Sequence, residues 1–223
     1  MARRIVIAID GPAGAGKSTI ARRLAEKLGF TLVDTGAMYR AVALWALREG
    51  IDPADAHRME HLAAAASIEF APGSSRVMLN GEDVTAAIRA PEVSAAASAA
   101  ATRAGVRRAM VAKQRAMSEA VSVVMEGRDI GSVVFPRADV KIFLDASPDE
   151  RLRRRLVELG GEPESVAGAM RDRDERDRSR AESPLVQEPD AFYIDSTGLS
   201  LDQVEEAILK VVRARISNGK DFT

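Results

Sequence analysis

The chain has 223 residues, of which 46% are hydrophobic and only 4% aromatic, so it is long enough for one compact domain with insertions and must build its core from aliphatic side chains. A formal net charge of −1 offers no global field to nucleic acid or a membrane, and the absence of cysteine excludes disulfides, thiolate metal sites and a cysteine nucleophile. No apolar run approaches a membrane span, and Met1-Ala2-Arg3-Arg4 leads straight into a strand without a cleavable signal, so a soluble, cytoplasmic protein is expected.

In chain order, the apolar run 5–9 predicts a buried strand that ends at Asp10. GPAGAGKS follows, from Gly11 to Ser18, and matches G-x-x-x-x-G-K-[ST] without departure. Ile20, Ala21, Leu24 and Leu28 fall at helical spacing, and Gly29 is a C-terminal stop. A short strand over 30–33 leads to Asp34-Thr35-Gly36. A helix over 36–49 then ends at Gly50, and Asp52-Pro53 is expected to start the next one.

The pattern changes over 67–84. Residues 68–70 and 76–79 are strand candidates around a Pro72-Gly73-Ser74-Ser75 turn, and Asn80-Gly81 is a hairpin signal. This reads as a small β insertion outside the main sheet. A stretch rich in alanine and serine runs from Pro91 to 101, suited to close packing or easy movement, and a basic helix covers 105–120.

The main pattern returns with a strand over 122–125 that ends in Glu126-Gly127-Arg128-Asp129, and another over 140–145. Ser147 with Glu150, and Ser200 with Gln203, have capping-box spacing at the starts of two helices. Gly160-Gly161 breaks the first of these. The run RDRDERDRSR over 171–180 alternates in sign, Pro184 and Pro189 bracket a loop, and 191–195 is the last strand. The last helix carries an apolar stripe from Leu201 to Val212, and the tail after Ser217 is expected to fray.

Five apolar strands alternating with helices predict an α/β fold: three layers around a five-stranded parallel sheet, with a small β-containing insertion and a short lid. Ligands of such sheets sit at the carboxyl ends of the strands. Asp10 to Ser18, Asp34-Thr35, Gly127-Arg128-Asp129 and Asp145 should therefore converge. Gly11, Pro12, Ala13, Gly14, Ala15, Gly16, Lys17, Ser18 and Thr19 form a loop whose N–H groups suit a triphosphate. Lys17 would reach the β- and γ-phosphates and the Ser18 hydroxyl Mg²⁺. Arginines recur at Arg40, Arg107, Arg128, Arg173, Arg176, Arg178 and Arg180, which suits a second phosphorylated substrate facing ATP. A guanine-reading N-K-x-D segment is missing. His57 and His61, four apart, could be a metal pair, but no third ligand lies near in sequence. Asp34 and Asp145 fit an orienting or a structural role equally.

GPAGAGKST, DTGAMYR, EGRDIGSVVFP, KIFLDAS and RDRDERDRSRAESPLV together resemble bacterial cytidylate kinase over roughly residues 5–212. The resemblance implies transfer of phosphate from ATP to CMP or dCMP with Mg²⁺, by a monomer. It implies that Thr35, Arg40 and Arg128 hold the CMP phosphate. Ser98, Arg107 and Asp129 would read the cytosine, Arg173 and Asp177 lie near the ribose, and Arg180 reaches the transferring phosphate. Lys17, Arg128 and Arg180 are thus the catalytic set. Thr35 and Glu126 stand where many relatives have Ser and Asp. The implied parts are a core (about 1–50, 105–147 and 186–217), an insertion that binds the monophosphate (about 51–104) and a lid (about 148–185). The alternatives are another small P-loop kinase, for thymidylate, shikimate or gluconate, and a non-catalytic nucleotide-dependent binding protein acting on RNA.

Overall fold

The structure, a computed structural model, describes residues 3–70 and 76–217; the expected turn at 72–75 and the tail beyond 217 lie outside the described residues. The chain runs β1 (Val6–Asp10), α1 (Lys17–Leu28), β2 (Thr31–Asp34), α2 (Thr35–Arg48), α3 (Ala56–Ala65), β3 (Ile68–Phe70), β4 (Val77–Leu79) and β5 (Glu82–Asp83). A 3₁₀ turn (Ala87–Arg89) leads to α4 (Pro91–Ala100), α5 (Ala104–Met117) and β6 (Val123–Gly127). A π-helical turn (Ile130–Val134) precedes β7 (Val140–Asp145), α6 (Pro148–Leu159), α7 (Pro163–Ser179), β8 (Phe192–Asp195) and α8 (Leu201–Ser217).

The main sheet has the order β2-β6-β1-β7-β8 and every pairing is parallel. Helices cover both faces, because successive side chains of a strand point to opposite sides. Ile7 and Ile9 of β1 pack with Leu24 of α1 and Ile208 of α8, while Ala8 between them joins Met38, Met59 and Met110 on the other face. A fully buried side chain of this size contributes about 1.5–3 kcal/mol. The core is aliphatic and methionine-rich, as the 4% aromatic content demands.

β3, β4 and β5 form a separate antiparallel sheet. Its β4–β5 turn is Asn80-Gly81, both at positive φ (50° and 86°), the geometry of a two-residue hairpin turn. The alanine-rich stretch is helix α4, and it lies closely against α2 through Ala96, Ala97 and Ala100. Two local expectations need correction. α3 starts at Ala56, not at Pro53: the Asp55 side chain accepts from Arg58 N and caps it, while Asp52 turns back on Ala54 N at 2.8 Å. The Ser147 box is half made. Ser147 Oγ accepts from Glu150 N at 3.2 Å, but the Glu150 carboxylate is drawn to Arg153 and Arg154, and Thr197 Oγ1 takes the Ser147 N–H. The Ser200–Gln203 box is reciprocal.

Register places the site. Asp10 lies opposite Gly127 and Phe143, and Asp34 lies opposite Glu126, so the carboxyl ends of β1, β2, β6 and β7 open on one edge.

Candidate active site

The loop after β1 must turn sharply above the β7 end. Gly11 has φ +148°, and a Cβ there would sit 1.9 Å from the Leu144 carbonyl oxygen. No side chain fits so close an approach, which is the local reason for glycine. The loop closes into α1 with Gly16 in the left-handed region, leaving the first N–H groups of the helix pointing into the hollow. Lys17 is buried, and its Nζ donates to Pro12 O at 2.7 Å across the loop. Burial, helped by the charge of Arg128, pushes its pKa down to about 7.

Beside it, Ser18 Oγ donates to the Glu126 carboxylate, and Thr35 Oγ1 donates to Glu126 O at 2.7 Å. Burial, with Asp34 nearby, raises the Glu126 carboxyl above its ordinary value. Ser18 and Glu126 are thus a hydroxyl and a carboxylate side by side at a strand end, the oxygen set that suits a Mg²⁺ ion held mainly by phosphates. No cluster of three His, Cys, Asp or Glu fit for a metal occurs among the described residues, and His57 and His61 are both exposed on α3.

The second half of the site is a set of arginines held by carboxylates. Arg128 Nε donates to Asp177 at 2.8 Å, and Arg107 pairs with Asp129 in the interior. The Arg107 guanidinium also lies 5.9 Å from the Tyr39 ring centre. Arg180 lies 3.8 Å from Asp129 and 3.7 Å from Asp177, with its Nε on Ser183 O. Burial alone would raise the Asp177 carboxyl, but Arg128 and Arg173 overcome it and hold it below its ordinary value. Arg173 is pushed down to about 10, by burial first and then by Arg128. Buried nitrogens of Arg40, Arg107 and Arg180 lack a hydrogen-bond partner. A buried donor without a partner costs about 1–3 kcal/mol, which an incoming anion would relieve.

The expected residues therefore converge, with four local differences. Ser98 Oγ accepts from Arg176 at 2.9 Å, so it faces α7. Thr35 gives its proton to the backbone. Asp34 acts on its own helix, accepting from Ala37 N at 2.8 Å and pairing with Arg40 at 3.1 Å. Asp145 accepts from Ala146 N. Arg107 turns inward, whereas its neighbour Arg108 pairs with Glu60 at the surface.

Sequence reasoning gave no role to Asp10, Arg151, Arg154 or Asp174. The buried Asp10 carboxylate accepts from Ile130 N at 2.8 Å and Gly131 N at 2.7 Å, and so pins the π-helical turn that follows Asp129. Burial raises it to about 6 against these two bonds. Its position at a strand end was the available signal. For Arg151 and Arg154, only the arginine density of RLRRR over 151–155 marked the segment, while Asp174 lies inside the alternating run over 171–180.

The family model described as Cytidylate kinase matches residues 7–214. The cytidylate kinase of Solibacter usitatus is 63% identical over 228 residues, covering 99% of this chain and 97% of its own length. That of Pelotomaculum thermopropionicum is 50% identical over 222 residues, covering 96% of each. A crystal structure of an uncharacterized protein from Eubacterium ventriosum shares the fold at TM-score 0.56 and 14% identity, over 95% of this chain and 99% of that one.

Proposed function

The chain belongs to the cytidylate kinase family, and from that premise we propose that it transfers the terminal phosphoryl group of ATP to CMP or dCMP. The observation that carries the reading is the juxtaposition of two anion sites: a buried P-loop lysine at the β1 end, and a cluster of arginines at the β6 end, Arg128 among them, one strand away.

The acceptor is a phosphate whose second pKa is about 6, so it is already a dianion at neutral pH and needs no general base. The work left is to bring two anions into line and cancel their repulsion. Lys17 and the loop N–H groups take the donor phosphates. Arg40 and Arg128 take the acceptor phosphate, and Arg180 spans the space between, so that phosphate oxygens replace the carboxylates that now hold these arginines. Ser18 and Glu126, together with the nucleotide phosphates, would hold a Mg²⁺ ion, which when bound would neutralise charge on the phosphate oxygens.

Arg107 donates and Asp129 accepts, which matches the ring nitrogen, carbonyl and amino group of cytosine. Uracil lacks the amino donor, so Asp129 would face an acceptor. Ser98 joins this edge once Arg176 releases it, and Asp177 accepts from the ribose hydroxyls beside Arg173. Within the lid over about 148–185, α7 closes over the γ-phosphate and keeps water out while α6 stays seated behind the donor loop, and residues 51–104 act as the monophosphate-binding insertion. A monomer in the cytoplasm completes the reading. Among the described residues no helix is long and apolar enough to cross a membrane.

The test is Lys17→Ala. CMP-dependent ADP release should be lost while the thermal transition of the fold survives; normal turnover in the variant would sink the assignment.

A further inference from the structure

The triphosphate loop does not hold its shape alone. A loop that points its N–H groups inward must point carbonyls outward, and each buried carbonyl needs a donor. α6 lies directly behind the loop. Added Cβ atoms show how close it is: at Gly14 one would meet the Arg151 backbone oxygen at 3.0 Å and its Cβ at 3.1 Å, and at Gly16 one would meet Arg154 Nη1 at 3.6 Å. Arg151 and Arg154, one turn apart on α6, each donate to an outward carbonyl: Arg151 Nη1 to Ala13 O at 3.1 Å and Arg154 Nη1 to Ala15 O at 3.1 Å.

The remaining donors of the two guanidinium groups are largely spent on the protein. Arg151 also donates to Ala146 O at 3.2 Å and to Asp174 at 2.6 Å. Arg154 also donates to Glu150 at 2.8 Å, to Ser196 Oγ at 2.9 Å and to Ser196 O at 2.8 Å. Side chains so engaged are fixed in place and have little left to offer a ligand. Asp174 and Asp177 lie one turn apart on α7. The first binds Arg151 behind the donor loop, and the second binds Arg128 at the acceptor side.

We propose that Arg151 and Arg154 are positioning residues of the triphosphate loop, and that Asp174 ties the loop's shape to the seating of α7. They act through the Ala13 and Ala15 carbonyls, which they hold so that the N–H groups face the phosphates. This rests on the reading of residues 11–19 as the ATP-phosphate site.

The test uses the full chain with two probes, MgATP in steady-state kinetics and magnesium tripolyphosphate, which has no base or sugar, in calorimetry. Arg154→Gln should raise KM for ATP and weaken tripolyphosphate binding by the same factor, about 10-fold, the worth of one well-placed hydrogen bond. KM for CMP should change by less than about 2-fold, since that site is reached only through other residues. Arg154→Lys keeps the charge but not the fork, and should recover little of the loss. It also provides the readout if the glutamine variant does not fold. Asp174→Asn should shift KM for ATP in the same direction by a smaller factor. Wild-type tripolyphosphate binding with equal binding by the Arg154 variants would overturn the inference. So would full recovery by lysine, which would mean that charge alone matters, or an equal rise in both KM values. Failure of the wild-type protein to bind tripolyphosphate would instead remove the reading of the loop on which the inference rests.

Discussion

Gly11→Ala puts the donor loop to a quantitative test. The added Cβ would lie 1.9 Å from the Leu144 carbonyl oxygen, where 3.0 Å is the practical floor, so the loop or the end of β7 must retreat by about 1 Å. The φ of +148° adds backbone strain, because an L side chain rarely adopts it. Overpacking of this kind costs about 1–3 kcal/mol of stability. The catalytic effect should be larger, since a misplacement of about 1 Å in a positioning element can cost about 10²-fold in rate. Initial rates of ADP release at saturating CMP and varied ATP should show kcat/KM for ATP reduced about 100-fold. Direct binding of CMP without ATP should stay close to wild type, because Arg40, Arg107 and Asp129 lie on other elements. Wild-type kcat/KM for ATP in a folded Gly11→Ala protein would refute the claim that the loop's seat on β7 sets the donor geometry.

Asp129→Asn removes the carboxylate charge, exchanges one of the oxygens proposed for the cytosine amino group for an amide donor that can serve the uracil carbonyl, and loosens the interior pair with Arg107. The ratio of CMP to UMP turnover should fall by about 10²-fold or more, read as a ratio of kcat/KM values. Asp177→Ala leaves Arg128 without its carboxylate in a part-buried setting, and breaking such a pair costs up to about 3–5 kcal/mol. The variant should melt earlier, and α7 should be cut faster by protease; bound CMP should narrow both differences. In the free protein Lys17 loses its proton as pH rises through about 7, while ATP binding needs the charged form. Accordingly kcat/KM for ATP should decline above about pH 7, while kcat at saturating ATP should be flatter because the bound phosphates hold the proton on. A flat kcat/KM profile from pH 6 to 9 would contradict this.

The sheet was legible because its strands are short apolar runs that end in glycine or aspartate, and the two-residue turn at Asn80-Gly81 announces the small sheet. What escaped was local competition and distant pairing. Pro53 suits a first helical position, but Asp55 offers a better cap two residues later, so α3 starts there. Glu150 has the spacing to close a capping box, yet two arginines on its own helix attract it more strongly. By alternation alone the mixed-sign run over 171–180 would read as a solvated face, and only the family resemblance placed Asp177 at the ribose. In the fold its positions 174 and 177 turn inward, and each finds an arginine far away in sequence. Motif residues brought Lys17, Arg128 and Asp129 to one edge of the sheet. Ser98 and Thr35 reach that region but are engaged by Arg176 and the Glu126 carbonyl. Nothing in spacing could show that Arg151 and Arg154 back the loop, because that contact depends on where α6 lands after β7.

The most direct test of the central claim is ADP release with ATP and Mg²⁺ against CMP, dCMP, UMP, AMP and dTMP in parallel. Strong turnover with CMP and dCMP and little with UMP is the predicted result. Equal turnover with CMP and UMP would keep a kinase but discard Asp129 as the reader of cytosine, and no turnover with any monophosphate would contradict the account.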